Sequence, residues 1–214
     1  MFLCKPDNRK WLIVTGGLLA VIITLSVILA VTLSGRASGA SGVRDPANLR
    51  QAVDSIDGIP LFTAYIPEDS PGRPGVLRTV ESITIHETAN TSEGADAEAH
   101  SDYLSTTSDE VSWHYTVDDH QIYQHLPDNE EAWHSGDREG NHSSISIELC
   151  VNADGNFDQT MENAAKLTAF LLKEYDLTID DVKQHYDFNG KDCPLIIRQE
   201  GRWDEFLGMV QQNL

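Results

Sequence analysis

The stretch Gln184–Pro194, QHYDFNGKDCP, decides how the chain must come together, because it sets a histidine, a lysine and a cysteine in one short loop. His185 offers an imidazole nitrogen and Cys193 a thiolate, both good ligands for zinc. Lys191, two residues before the thiol, puts a positive charge beside any oxygen held at such a metal. One loop does not complete a site, so a third ligand must come from elsewhere. His86, in ITIHETAN (residues 83–90), is placed to supply it from what reads as a buried strand. Three protein ligands leave a fourth tetrahedral position open, which is the arrangement of a catalytic rather than a structural zinc.

Around these residues the apolar periodicity is that of an α/β domain. It predicts strands at Leu61–Ile66, Ser82–Glu87, Ser112–Val117, Gln121–His125 and Ser144–Val151. Asp118-Asp119-His120 reads as the turn of a hairpin, and Asn152-Ala153-Asp154-Gly155 as the turn that ends the last strand. Gln159–Tyr175 predicts a helix. Met161, Ala164, Ala165, Thr168, Leu171, Leu172 and Tyr175 fall on one face, with Asp158 as cap. Weaker helical patterns cover Ala95–Leu104 and Arg202–Gln211, the second burying Trp203, Phe206, Leu207 and Val210. The expected fold is a single α/β domain, with a central mixed β-sheet flanked by helices.

Several polar residues sit where the pattern expects apolar ones. Ile83 and Ile85 share one strand face, so His86 lies with Thr84 on the other. A lone strand histidine is more often a core residue than a ligand, but His185 and Cys193 require a partner. Glu148 lies in the strand SISIEL, where a carboxylate is out of place unless neutralised, paired or beside a metal. There it would serve as a general base. The alternation of Ser144, Ser146 and Glu148 with apolar residues equally fits an outward-facing glutamate. Trp113 either lines a substrate groove or packs in the core, and His114 reads as structural. Asp187 and Asp192 offer competing oxygen ligands, but the softer thiolate of Cys193 suits zinc better.

Composition bounds the rest. The 25 residues Trp11–Gly35 carry no charge and are dominated by Leu, Ile, Val and Ala. As a helix they span about 30 Å or slightly more, enough to cross a bilayer. Lys5, Arg9 and Lys10 precede them, so the positive-inside rule leaves the N-terminus in the cytoplasm and exports the remainder. The expected organisation is a cytoplasmic start (1–10), a transmembrane signal-anchor helix (11–35), a flexible Ser/Gly/Ala linker (36–50) and a catalytic domain (51–214). This places the protein in the cell membrane as a single-pass protein, with its domain on the extracellular side. Cleavage near Ala37 or Ala40, releasing the domain, is the alternative.

From Gln51 onward, 9 basic residues face 32 acidic ones. So acidic a domain does not attract nucleic acid or anionic lipid by general electrostatics, and no nucleic-acid partner is expected. Cys4 falls on the cytoplasmic side, leaving Cys150 and Cys193 exported. These two would make at most one disulfide, which would disarm the proposed site.

Five segments, ITIHETAN, SWHYTVDD, EEAWHSGD, SISIELCVN and HYDFNGKDCP, resemble in kind and order the zinc-dependent N-acetylmuramoyl-L-alanine amidases of the amidase-2 type. That family includes phage endolysins and bacterial autolysins, and shares its fold with peptidoglycan recognition proteins. The resemblance covers roughly residues 61–194. It implies a groove holding Zn2+ on His86, His185 and Cys193. Glu148 matches the catalytic glutamate of the endolysin-like branch, and Lys191 the lysine before the metal thiolate. Trp113 stands where other branches use a tyrosine, and His134 matches a position near the substrate. The implied substrate is peptidoglycan, cut between N-acetylmuramic acid and L-alanine. Glu87 departs from the asparagine of many relatives, and extra negative charge near the metal is expected from it. The rival readings are a peptidoglycan-binding module of the same fold that does not cut, and another class of exported zinc hydrolase.

Overall fold

The structure, a computed structural model, describes residues 54–214. The expected transmembrane helix, linker and cytoplasmic start lie outside the described residues. Among the described residues no helix is long and apolar enough to cross a membrane.

Seven strands form one mixed sheet: β1 (Asp54–Ile56), β2 (Ile59–Thr63), β3 (Ser82–Glu87), β4 (Tyr115–Val117), β5 (Ile122–Gln124), β6 (Ser144–Leu149) and β7 (Val182–Gln184). Their order across the sheet is β1-β2-β5-β4-β6-β3-β7. β1 and β2 make an antiparallel hairpin through Asp57-Gly58, both with positive φ (48° and 81°), as a two-residue turn of the right hand requires. β4 and β5 make the second antiparallel pair, across the predicted Asp118–His120 turn. The remaining ladders are parallel, and β3 lies between β6 and β7.

Alternation gives β3 and β6 two distinct faces. Ile83, Ile85, Ile145, Ile147 and Leu149 join Tyr115 and Val117 in the main core. Against them packs α3 (Phe157–Glu174), through Met161, Ala164, Ala165, Leu167, Leu171 and Leu172. The final helix, α6 (Trp203–Asn213), adds Phe206 and Val210 to the same core. Full burial of each large aliphatic side chain stabilises the fold by about 1.5–3 kcal/mol, so this face holds the sheet together. On the opposite face lie Thr84, His86, Thr116, Ser144 and Ser146, all buried, and half-buried Glu148. That face carries the candidate site residues His86 and Glu148.

The expected helices are present, with shifted ends. α3 begins two residues before the predicted start and is capped by Asn156, whose side chain accepts from Gln159 N–H, rather than by Asp158. Asp158 instead pairs with Arg202. α1 (Ala97–Thr106) is capped by Asp96. The strand predicted from Ser112 begins only at Tyr115, because Ser112 N–H donates to Trp133 O outside the sheet. Three short helices were not predicted: α2 (Arg138–Ser143), α4 (Tyr186–Asn189) and α5 (Leu195–Gln199).

Candidate metal centre

His86 at the end of β3, His185 just past β7 and Cys193 in the following loop converge, with their ligand atoms all within 4.8 Å of one another. His86 Nδ1 lies 3.0 Å from His185 Nδ1 and 3.8 Å from Cys193 Sγ. Bond lengths of about 2.0–2.1 Å to nitrogen and 2.3 Å to sulfur at a tetrahedral angle separate such atoms by about 3.3 Å and 3.6 Å. The spacing therefore fits zinc.

Hydrogen bonds fix which ring nitrogen faces the centre. His185 Nε2 lies 2.9 Å from Ser135 O, and a carbonyl only accepts, so Nε2 carries the proton and Nδ1 the lone pair. Asn189, one turn further along α4, also donates to Ser135 O. His134 Nε2 donates to Gly140 O (3.2 Å), which leaves His134 Nδ1 to accept from His86 Nε2–H (2.9 Å). His86 Nδ1 is thus also a bare acceptor. Two lone pairs facing each other at 3.0 Å are satisfied by a shared cation. Burial keeps these rings neutral, as metal binding needs: His86 is pushed well below the usual histidine range and His134 to about 3, in both cases chiefly by desolvation. Desolvation also lowers His185.

Glu148 sits beside this cluster because β3 and β6 pair His86 with Glu148 in parallel register. Its Oε1 lies 3.8 Å from His86 Nδ1, and its Oε2 is buried without a hydrogen-bond partner. Burial raises its pKa to about 8; the charge of Lys191 opposes the rise and that of Glu87 adds to it. Lys191 is exposed at the rim, and its charge acts on His86, His185, Glu148 and Cys193 alike. Burial pushes the Cys193 thiol up to about 12. Cys150 and Cys193 are both free, and Cys150 packs with Ala97 and Tyr123 in a small separate cluster.

The other candidate residues fall in different places. Trp113 is buried with Ile66, Leu104, Leu126 and Ala132, its indole N–H donating to Thr116 Oγ1. His134 has both ring nitrogens engaged inside the protein, on His86 and Gly140. His114 is fully buried, bonded to Ser146 and facing Glu130 O, as its structural reading expected. Asp187 accepts from Gln184 N–H and Asp192 pairs with Arg198, so neither joins the His86–His185–Cys193 cluster. The charge of Glu87 does reach Glu148, but its carboxylate oxygens are held by the backbone of Ile196 and Ile197.

Sequence reading missed the residues that orient the ligands. Gly140 is needed where it stands, since a Cβ there would meet Ser135 Oγ at 2.6 Å. Its carbonyl reaches His134 because Asp137 caps α2, accepting from the N–H groups of Glu139 and Gly140. Asp137 ahead of a short polar run was a usable signal for that helix.

A mixed sheet with a candidate three-residue metal cluster and a carboxylate at the C-terminal ends of adjacent parallel strands makes this an α/β domain with one convergent polar site. Residues 76–195 match the family Amidase_2, N-acetylmuramoyl-L-alanine amidase, and the chain belongs to that family. It is 46% identical over 148 residues to the N-acetylmuramoyl-L-alanine amidase XlyA of Bacillus subtilis (strain 168), covering 68% of this chain and 49% of that protein. To the amidase CwlH of the same organism it is 41% identical over 152 residues, covering 70% and 60%. The chain therefore spans about half to three-fifths of the length of these relatives. Among solved structures, the catalytic domain of XlyA superposes with a TM-score of 0.69 at 43% identity, over 71% of this chain and 99% of that one. PlyL superposes with a TM-score of 0.64 at 32% identity, over 71% and 96%.

Proposed function

We propose that the protein is a zinc-dependent hydrolase of the amide joining the lactyl group of N-acetylmuramic acid to L-alanine in peptidoglycan. The observation that carries this reading is the convergence of two histidine Nδ1 atoms and one thiol beside a buried, unpartnered carboxylate oxygen. Membership of a family whose relatives are named for this reaction supports it.

His86, His185 and Cys193 would hold the zinc. When bound, zinc supplies a Lewis acid that polarises water or the scissile carbonyl. Glu148 accepts the proton of the attacking water at its free carboxylate oxygen, then delivers it to the departing amine nitrogen. Lys191 lends positive charge to the oxygen that becomes anionic as the carbonyl carbon turns tetrahedral. His134 and Ser135 hold the two ligand rings in the tautomer that presents Nδ1. One C–N bond breaks, one C–O bond forms, and one water is consumed, leaving a muramoyl carboxylic acid and a free L-alanine amine.

The test is incubation of the protein with purified cell walls, with and without added zinc, and assay of new N-terminal alanine. Zinc-dependent release is expected. Binding to the walls without release would favour a non-cutting recognition module. Lys191→Ala is expected to retain metal and lose about 10²–10³ in turnover, as oxyanion stabilisers do.

For the cellular setting, we propose that residues 11–35 anchor the domain on the wall side of the membrane, for wall remodelling or lysis. The uncharged run and the basic residues before it support this. Recovery of the full-length protein in a membrane pellet that resists salt and alkaline washing is expected. Recovery in the soluble fraction would overturn it.

A further inference from the structure

We infer that Glu87 is a positioning residue for the sulfur ligand, a bracket that fixes Cys193 relative to His86. The inference rests on the zinc-site reading above. Glu87 follows His86 on β3, so strand alternation sends its side chain to the opposite face from the ligand ring. The side chain is buried, at 6% exposure. Its Oε2 accepts from Ile196 N–H at 2.7 Å and its Oε1 from Ile197 N–H at 2.9 Å. These are first-turn donors of α5, which have no partner within their own helix. That helix starts two residues after Cys193.

Glu87 is also the chain neighbour of the first ligand, His86. A single residue thus joins the His86 end of β3 to the chain just beyond the sulfur, through its carboxylate. Burying a carboxylate is costly unless charge-assisted hydrogen bonds compensate, and here backbone amides provide them. The loop has one further pin, Tyr186 N–H to Cys193 O at 3.1 Å, which ties it to the His185 side of the site. Glu87 ties it to the His86 side. Together the two contacts hold the thiol between both imidazoles.

The full-length protein, purified in mild detergent and stripped of metal, provides the test. Zinc affinity is measured by competition with a chromophoric chelator, and thiolate ligation by the sulfur-to-metal absorption of the Co2+ form. Glu87→Ala is expected to weaken zinc binding about 10–100-fold, the usual loss when an outer partner of a ligand is removed, and to diminish the cobalt–thiolate band. Glu87→Gln keeps one carbonyl acceptor and is expected to show a measurable loss of up to about tenfold. Val210→Ala, in the main core on the face of the sheet opposite His86, is expected to lower the thermal midpoint and leave both readouts unchanged.

Parental affinity and an undiminished band in Glu87→Ala would overturn the inference, as would a loss no larger than that of Val210→Ala. Should Glu87→Ala not fold, Glu87→Gln decides alone, and an unchanged constant there overturns it. If the parent protein itself takes up no zinc, the metal reading falls first and the inference with it.

Discussion

His86 and Glu148 face each other across adjacent parallel strands, Glu148 Oε1 lying 3.8 Å from His86 Nδ1. The sheet register itself therefore fixes the separation of the proposed metal ligand and the proposed base. A strand register does not drift by fractions of an ångström, since a slip of one residue reverses every side chain.

Glu148→Gln keeps the shape of this side chain and removes its basicity. Zinc content is expected to stay at the parental level while alanine release from cell walls falls about 10²–10⁴-fold, the range for loss of a general base. Metal analysis and product mapping on one preparation check both halves. Parental turnover would remove Glu148 from the mechanism.

His134→Ala removes the acceptor that holds the His86 N–H. Zinc affinity is expected to fall about 10–100-fold, since the His86 ring then loses both its orientation and its preferred tautomer. His134→Asn, which can place an acceptor near the lost Nδ1, is expected to recover part of the loss. Equal affinities in all three proteins would show that the His86–His134 contact has no part in metal binding.

Zinc binding should release protons. The Cys193 thiol is pushed up to about 12 and Glu148 to about 8, so both are largely protonated at pH 7 in the metal-free protein. A thiol must ionise to bind zinc, and a cation beside Glu148 draws its proton away as well. More than one proton per zinc is expected at pH 7, with affinity dropping about tenfold per pH unit for each proton released. Calorimetry in two buffers of different ionisation enthalpy measures the count. A count of zero would mean that the sulfur is not a ligand.

Acid should destabilise the metal-free domain from about pH 6.5 downward. Desolvation pushes His125 to about 3 and His114 well below the ordinary value. A depressed histidine contributes stability that is present above its unfolded pKa and is lost as pH falls toward its folded pKa. The slope is about 1.4 kcal/mol per pH unit for each such group. Glu148, whose pKa is raised, acts in the opposite sense over the same window, but His86 and His134 add to the loss. The net sign is destabilising. A thermal midpoint that stays level between pH 7 and pH 5 would contradict it.

Much of this could be read from the residues alone. β3 was read at both of its ends, because Ile83 and Ile85 alternate cleanly with Thr84 and His86 and the run is bounded by polar residues. The convergence of His86, His185 and Cys193 was legible because the last two share one loop that demands an outside partner. β7 was missed because Val182-Lys183-Gln184 has one apolar residue in three and shows no period. Gly140, Asn189 and Ser135 were invisible as ligand supports, since two of them act through backbone carbonyls and all three meet the histidines only in the folded state. Trp113 read equally well as groove or core from its neighbours. Its bond to Thr116, three residues on, depends on where the chain bends after Ser112.

His86 and Cys193 stand 107 residues apart. A ribosome has therefore made nearly all of this domain before the last donor atom emerges. A product cut short between His185 and Cys193 retains both imidazoles and lacks the sulfur, so it cannot assemble the three-residue cluster.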